Sequence, residues 1–101
     1  MSRNLKLSII RSIVKSVFNE EFGESEWWAA DFIINKESKW NPYAINSTSG
    51  ACGLFQFLPC SKVNCRIDDV RCHGTAGAQY IRNRYRTPSS AYSFWLAHSW
   101  Y

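Results

Sequence analysis

From Glu37 to Gln56 the chain reads Glu-Ser-Lys-Trp-Asn-Pro-Tyr-Ala-Ile-Asn-Ser-Thr-Ser-Gly-Ala-Cys-Gly-Leu-Phe-Gln. The stretch begins with one carboxylate at the point where a helical pattern breaks. It then runs through a polar Asn/Ser/Thr/Gly loop and closes on a Gly-Leu-Phe-Gln turn. An acid facing a polar wall suits a glycosidic bond, which needs a proton donor at its bridging oxygen and hydrogen-bond partners for hydroxyl and acetamido groups.

Counting carboxylates narrows the chemistry. The chain holds eight: Glu20, Glu21, Glu24, Glu26, Asp31, Glu37, Asp68 and Asp69. None lies between Ser38 and Ile67, so a two-carboxylate hydrolysis would require Asp68 or Asp69 to fold back across the cleft. One acid suffices when the substrate supplies the nucleophile. In N-acetylmuramic acid the acetamido oxygen can shield the developing cation, and the C6 hydroxyl can close onto C1. Glu37 would protonate the leaving oxygen and then, as carboxylate, take the C6 proton, leaving a 1,6-anhydro sugar. Both steps favour a pKa raised towards neutrality, which burial against Trp40 and Phe55 would provide. His73 and His98 accompany no recognisable Ser or Cys nucleophile motif and receive no catalytic role.

The elements that must hold Glu37 read as helices. Leu5, Ile9, Ile10, Ile13, Val14, Val17 and Phe18 recur at three- and four-residue steps opposite Lys6, Arg11, Lys15 and Asn19, which predicts an amphipathic helix ended by Gly23. A helix lying on a membrane surface would carry the same pattern. Ser25 is the expected N-cap of a second helix through Trp27, Trp28, Ala30, Phe32, Ile33 and Ile34, apolar around most of its circumference and so expected at the centre. Asn41-Pro42 ends it, because the residue before proline avoids helical dihedrals. Glu37 therefore falls in its last turn, where the helix dipole favours the protonated acid. Asn46 to Gly50 reads as a loop or short hairpin, Gly53 to Gln56 as the start of a short helix limited by Pro59, and Lys62 to His73 as an irregular excursion. Gly74 to Tyr85 regains helical spacing. Thr87-Pro88 is an N-cap followed by proline at the first position of a final helix. With no repeat or linker, residues 1–101 are expected to form one mainly α domain of about five helices.

Aromatic residues make up 16% of the 101, with five Trp, five Tyr and six Phe. These rings can fill a core that a short chain otherwise lacks, or serve as platforms for sugars. A net charge of +4 suits an acidic partner: nucleic acid, an anionic membrane surface or an anionic wall polymer. The Arg residues of the second half lack the aromatic and Gly spacing of an RNA-binding sheet, which argues against nucleic acid. Cys52, Cys60, Cys65 and Cys72 form an even set without a Cys-x-x-Cys pair, so two disulfides are favoured over zinc or four reduced thiols, with three pairings open. Oxidised, they place the chain outside a reducing cytoplasm. Lys6, Arg11 and Lys15 break the first apolar run, which is neither a signal peptide nor a bilayer span. The chain is thus expected as a mature or excised domain, or as one released by another route such as phage-mediated lysis.

Glu37-Ser38, Asn41-Pro42, Asn46, Ser49-Gly50-Ala51, Gly53-Leu54-Phe55-Gln56 and Pro59 together resemble the catalytic segment of lytic transglycosylases of lysozyme-like fold, both the soluble transglycosylase type and resuscitation-promoting-factor-like domains. Gln79-Tyr80-Ile81, Arg84-Tyr85, Thr87-Pro88, Ala91-Tyr92 and His98-Ser99-Trp100-Tyr101 resemble the C-terminal half of such domains in actinobacteria and their phages. The resemblance spans roughly residues 27–101. It implies a compact lysozyme-like fold with Glu37 as acid and base, Ser38 orienting it or the N-acetyl group, Gln56 bonding the glycan and Phe55 bordering the cleft. Asn46 belongs to the same substrate-facing set. Tyr92 matches a tyrosine whose hydroxyl steadies the carboxylate, although a core ring on the last helix is an equal reading. Arg86 stands where related chains often carry glycine, Cys52 replaces a usual aromatic, and the segment from Phe57 to Gln79 is short and cysteine-rich. The implied activity is cleavage of the β-1,4 bond between N-acetylmuramic acid and N-acetylglucosamine in peptidoglycan, by a monomer with no metal or organic cofactor. A muramidase-type hydrolase and a silent wall-binding module or secreted disulfide protein are the alternatives.

Overall fold

The structure, a computed structural model, describes residues 6–101. Four α-helices carry the chain: α1 (Leu7–Phe22), α2 (Trp27–Ser38), α3 (Val70–Tyr85) and α4 (Pro88–His98). Two short 3-10 turns, Glu24–Glu26 and Cys60–Lys62, join them. The fold is mainly α. The helices pack in two pairs, α1 on α3 and α2 on α4, and the cleft lies between them and the loop that follows α2.

The periodicity of α1 holds for Ile10, Val14, Val17 and Phe18, all buried. Ile9, expected on that face, is exposed, and Leu5 lies outside the described residues. Gly23 ends the helix at φ 90, where a side chain would be strained. Its N–H returns to the Asn19 carbonyl. The expected cap at Ser25 does not form, because Glu24–Glu26 winds into the 3-10 turn and α2 begins at Trp27 without a side-chain cap. Glu26 instead reaches across to α4, accepting from the Ser89 N–H at 2.8 Å and from the Ser89 hydroxyl at 3.1 Å. A carboxylate at a helix N-terminus satisfies orphan donors and meets the positive end of the dipole.

α2 buries Ala29, Ala30, Ile33 and Ile34. Its circumference is not wholly covered: Trp28 is exposed and lies edge-on to Tyr92 with ring centres 4.8 Å apart. The predicted short helix at Gly53 to Gln56 is a turn. Gly53 (φ 83) and Gln56 (φ 53) both take left-handed dihedrals, which interrupt any helix. Cys52 pairs with Ile45 on one side and Phe57 on the other, the bridges of the expected hairpin. α3 starts earlier than its spacing suggests, at Val70, with the Asp69 carboxylate accepting from the Cys72 N–H at 3.1 Å. Thr87 caps α4 as expected and accepts from the Ser90 N–H at 3.2 Å.

The cysteines pair as Cys52–Cys60 and Cys65–Cys72, which excludes a zinc site built from their thiolates. Each closes a short loop of sequence separation 8 or 7, a constraint on the unfolded chain of about 2.5 kcal/mol. Arg86 ends α3 at φ 77 and ψ −46. The glycine that the resemblance leads one to expect at this position would be free of strain there, since a Cβ is disfavoured at this dihedral. Arg86→Gly is expected to relieve that strain at a smaller entropic cost and to stabilise the fold by about 1 kcal/mol, read as a rise in melting temperature of roughly 5 °C.

Candidate active site

The last turn of α2 brings Glu37 to the wall of a cavity of about 440 Å³. Asn46, Ser49 and Ala51 from the loop, Phe55, Gln56 and Phe57 from the turn, and Tyr80, Trp100 and Tyr101 line it as well. The helix stops after Ser38 because Lys39 (φ 54) and Trp40 (φ 62) turn left-handed. Trp40 then buries its ring, and its indole N–H donates to Asp31 at 2.8 Å. Arg11 of α1 holds the other oxygen of Asp31 at 2.9 Å. One carboxylate thereby anchors the chain on both sides of the helix end.

Most of the other acids have structural duties. Glu21 pairs with Arg82, Glu26 caps α4, Asp31 binds Trp40 and Arg11, Asp68 pairs with Arg66, and Asp69 caps α3. Asp68 and Asp69 do not fold back across the cleft, and among the described residues Glu37 is the one carboxylate lining the cavity. Burial pushes its pKa above the ordinary carboxylate value. The Trp95 indole N–H acts in the opposite sense and more weakly. That nitrogen is buried and completes no well-aligned hydrogen bond, so it acts on the carboxylate as a nearby dipole.

The loop wall is held by its own polar groups. The Asn46 side-chain oxygen accepts from the Thr48 and Ser49 N–H groups, both at 2.9 Å. The Asn46 N–H donates to the Ala51 carbonyl at 2.8 Å. Gln56 donates its side-chain amide to the carbonyls of Gly53 (2.9 Å) and Ala44 (3.1 Å), tying turn to loop. Phe55 is buried below, stacked on Phe18 at 5.9 Å.

Glu37, Asn46, Phe55 and Gln56 are thus brought together, while Ser38 and Tyr92 lie outside the lining. Ser38 is buried with its hydroxyl donating to the Ile34 carbonyl at 3.1 Å. Tyr92 packs edge-on against Phe32 as well as Trp28. His73 is buried with Nε2 2.9 Å from the Arg66 carbonyl, and His98 stacks on Phe94; neither lines the cavity. The residues missed by sequence reasoning are Trp95 and Tyr101. Tyr101 donates its hydroxyl to the Phe55 carbonyl at 2.9 Å, and burial followed by the Glu37 charge pushes its phenol well above the ordinary value. Helical register places Trp95 on an aromatic face, and no local signal distinguishes it from its neighbours.

Removing the indole N–H leaves the carboxylate less stabilised. Trp95→Phe is therefore expected to raise the Glu37 pKa further and carry the alkaline fall of kcat/KM to higher pH, as a pH–rate profile would show.

Beside this geometry, a single half-buried acid at a helix end with Asn46 and Gln56 in the same lining, stands the result of the family comparison. The transglycosylase SLT domain model matches residues 18–98, and the chain belongs to that family, with its lysozyme-like fold and a lytic transglycosylase-type action on peptidoglycan. Comparison with curated proteins and with solved structures gave no match.

Proposed function

We propose that this chain is a lytic transglycosylase that cleaves the β-1,4 bond between N-acetylmuramic acid and N-acetylglucosamine and leaves a 1,6-anhydro end. The observation that carries the reading is the lone carboxylate: Glu37 lines the cavity with no second acid opposite it among the described residues, and burial raises its pKa. Protonated Glu37 gives its proton to the bridging oxygen as the C1–O bond breaks, while the acetamido oxygen shields C1. The resulting carboxylate then removes the C6 hydroxyl proton as that oxygen bonds to C1. Asn46, Gln56 and Ser49 face the glycan, and Phe55 supports the floor below it. Ser38, bonded back into the last turn, and Tyr92, packed on Phe32, support the position of α2 rather than touch the sugar.

A muramidase would need a second carboxylate to attack the sugar or to hold water. The seven others are distributed over helix ends, arginines and the outer surface. Residues 1–101 act in this reading as one catalytic domain, monomeric and without metal or organic cofactor. The two disulfides suit an oxidising compartment, in keeping with a secreted, wall-associated or phage-delivered enzyme. No helix among the described residues is long and apolar enough to cross a membrane. Mass spectrometry of digested peptidoglycan tests the product: anhydro ends are expected, each lighter by one water than the reducing ends that a hydrolase would leave.

A further inference from the structure

The helix that carries the acid has a second working face. Trp28 precedes Glu37 by nine residues, about two and a half turns, so the two side chains leave opposite sides of α2. There Trp28, Phe32 and Asn35 line an open groove of about 490 Å³ together with Arg11, Asp31 and Trp40. Among the described residues none lines both this groove and the Glu37 cleft. Its volume lies within the range of about 300–1,000 Å³ usual for ligand sites.

The groove is built from fixed parts. Trp28 is 53% exposed, and its contact with Tyr92 sets the tilt of its ring. Asp31 is held by the Trp40 indole and by Arg11, whose guanidinium lies 5.5 Å from the centre of the Trp40 ring. Arg11 and Asp31 still keep 43% and 33% of their side-chain surface exposed, so a ligand can reach both. Arg11 has five N–H donors, of which Asp31 engages one, and each Asp31 oxygen accepts one bond and has capacity for another. Asn35 is exposed and adds an amide that both donates and accepts.

The lining selects a ligand class. Its two charged side chains neutralise each other, so it offers no net charge to a phosphate, an anionic lipid or a nucleic acid. Polar groups interrupt the rings, so it has no continuous apolar face for the helix of another protein. A pyranose matches both halves. Its C–H face packs on an exposed indole, and the hydroxyl and acetamido groups at its edge bond to planar donors and acceptors.

We propose that this groove is a second saccharide-binding site, which takes uncharged N-acetylated sugar units on the side of α2 away from the cleft. The site stands independently of what the cleft does. On the glycan reading of the cleft, the chain would hold its polymer at two points and stay on it longer than either contact alone allows.

The test titrates the Glu37→Gln protein, which leaves the sugar intact, with the uncharged tetramer of β-1,4-linked N-acetylglucosamine and follows backbone, indole and side-chain amide signals by NMR. Saturable shifts of the Trp28 indole and the Asn35 side chain are expected, unchanged by added salt. Trp28→Ala in the same background should weaken groove binding about two- to tenfold, the scale of one ring contact, while Trp28→Phe keeps most of it. Asn35→Ala, at an exposed position, should weaken it as well and carries the comparison should Trp28→Ala fail to fold. Shifts confined to the cleft, no shifts at all, or groove binding retained in full by every folded alanine variant would overturn the site. Salt-sensitive binding of anionic phospholipid vesicles at these residues, with none of the sugar, would overturn it too. Groove shifts without cleft shifts would uphold the site and count instead against the glycan reading of the cleft.

Discussion

Glu37→Gln is expected to lose glycan cleavage by a factor on the order of 10²–10⁴ while the protein becomes more stable at neutral pH. The loss follows from removing the proton that the bridging oxygen must receive. The gain follows from the raised pKa. A carboxyl whose folded pKa lies above its unfolded value binds more protons when folded, so stability falls as pH rises from about 4.5 through the folded pKa. Glutamine keeps the shape and never ionises. Melting curves at about pH 4 should therefore coincide for wild type and variant, and those at about pH 8 should separate with the variant higher. A variant that loses activity and stability together would point to a structural role for Glu37.

Gly77→Ala is expected to destabilise the fold by about 2 kcal/mol and to lower activity with it. Helix propensity alone predicts the reverse, since alanine gains about 1 kcal/mol over glycine inside a helix. Packing decides the sign. A Cβ at Gly77 would stand well inside van der Waals contact of three atoms of the Phe55 ring. That ring is only 1% exposed and stacked on Phe18, so it cannot swing away. For a domain of this size the loss corresponds to a fall in melting temperature on the order of 10 °C. Displacing Phe55 also shifts its carbonyl, which accepts from Tyr101, and the neighbouring Gln56 in the wall. The double variant Gly77→Ala with Phe55→Leu should recover more than the two single effects sum to, because the smaller side chain makes room for the methyl.

Glu37 was legible because a helical period and a pre-proline residue lie close together, and two local rules agreed on where the chain turns. Thr87-Pro88 was legible for the same reason, with cap and proline adjacent. The start of α3 was hidden because its first turn carries Arg71, Cys72 and His73, whose polarity masks the period that Val70, Gly74 and Ala78 maintain. The turn at Gly53 to Gln56 depends on two left-handed residues, and only the glycine announces one. Glu26 stands at the start of α2, yet its carboxylate serves α4, a partner that local sequence cannot name. Trp95 and Tyr101 reach the site through packing between distant segments, so composition showed rings without showing which would face the acid.

The family match begins at Phe18, yet Arg11, Ile10, Val14 and Val17 lie ahead of it. Arg11 steadies the carboxylate that holds Trp40 at the end of α2, and the three aliphatic side chains are buried in the core. The smallest fragment able to work is consequently longer than the family outline. A gene fragment trimmed to that outline would strip one side of the hydrophobic interior and release the brace behind the acid, so recombinant versions and domain fusions should retain the whole of α1.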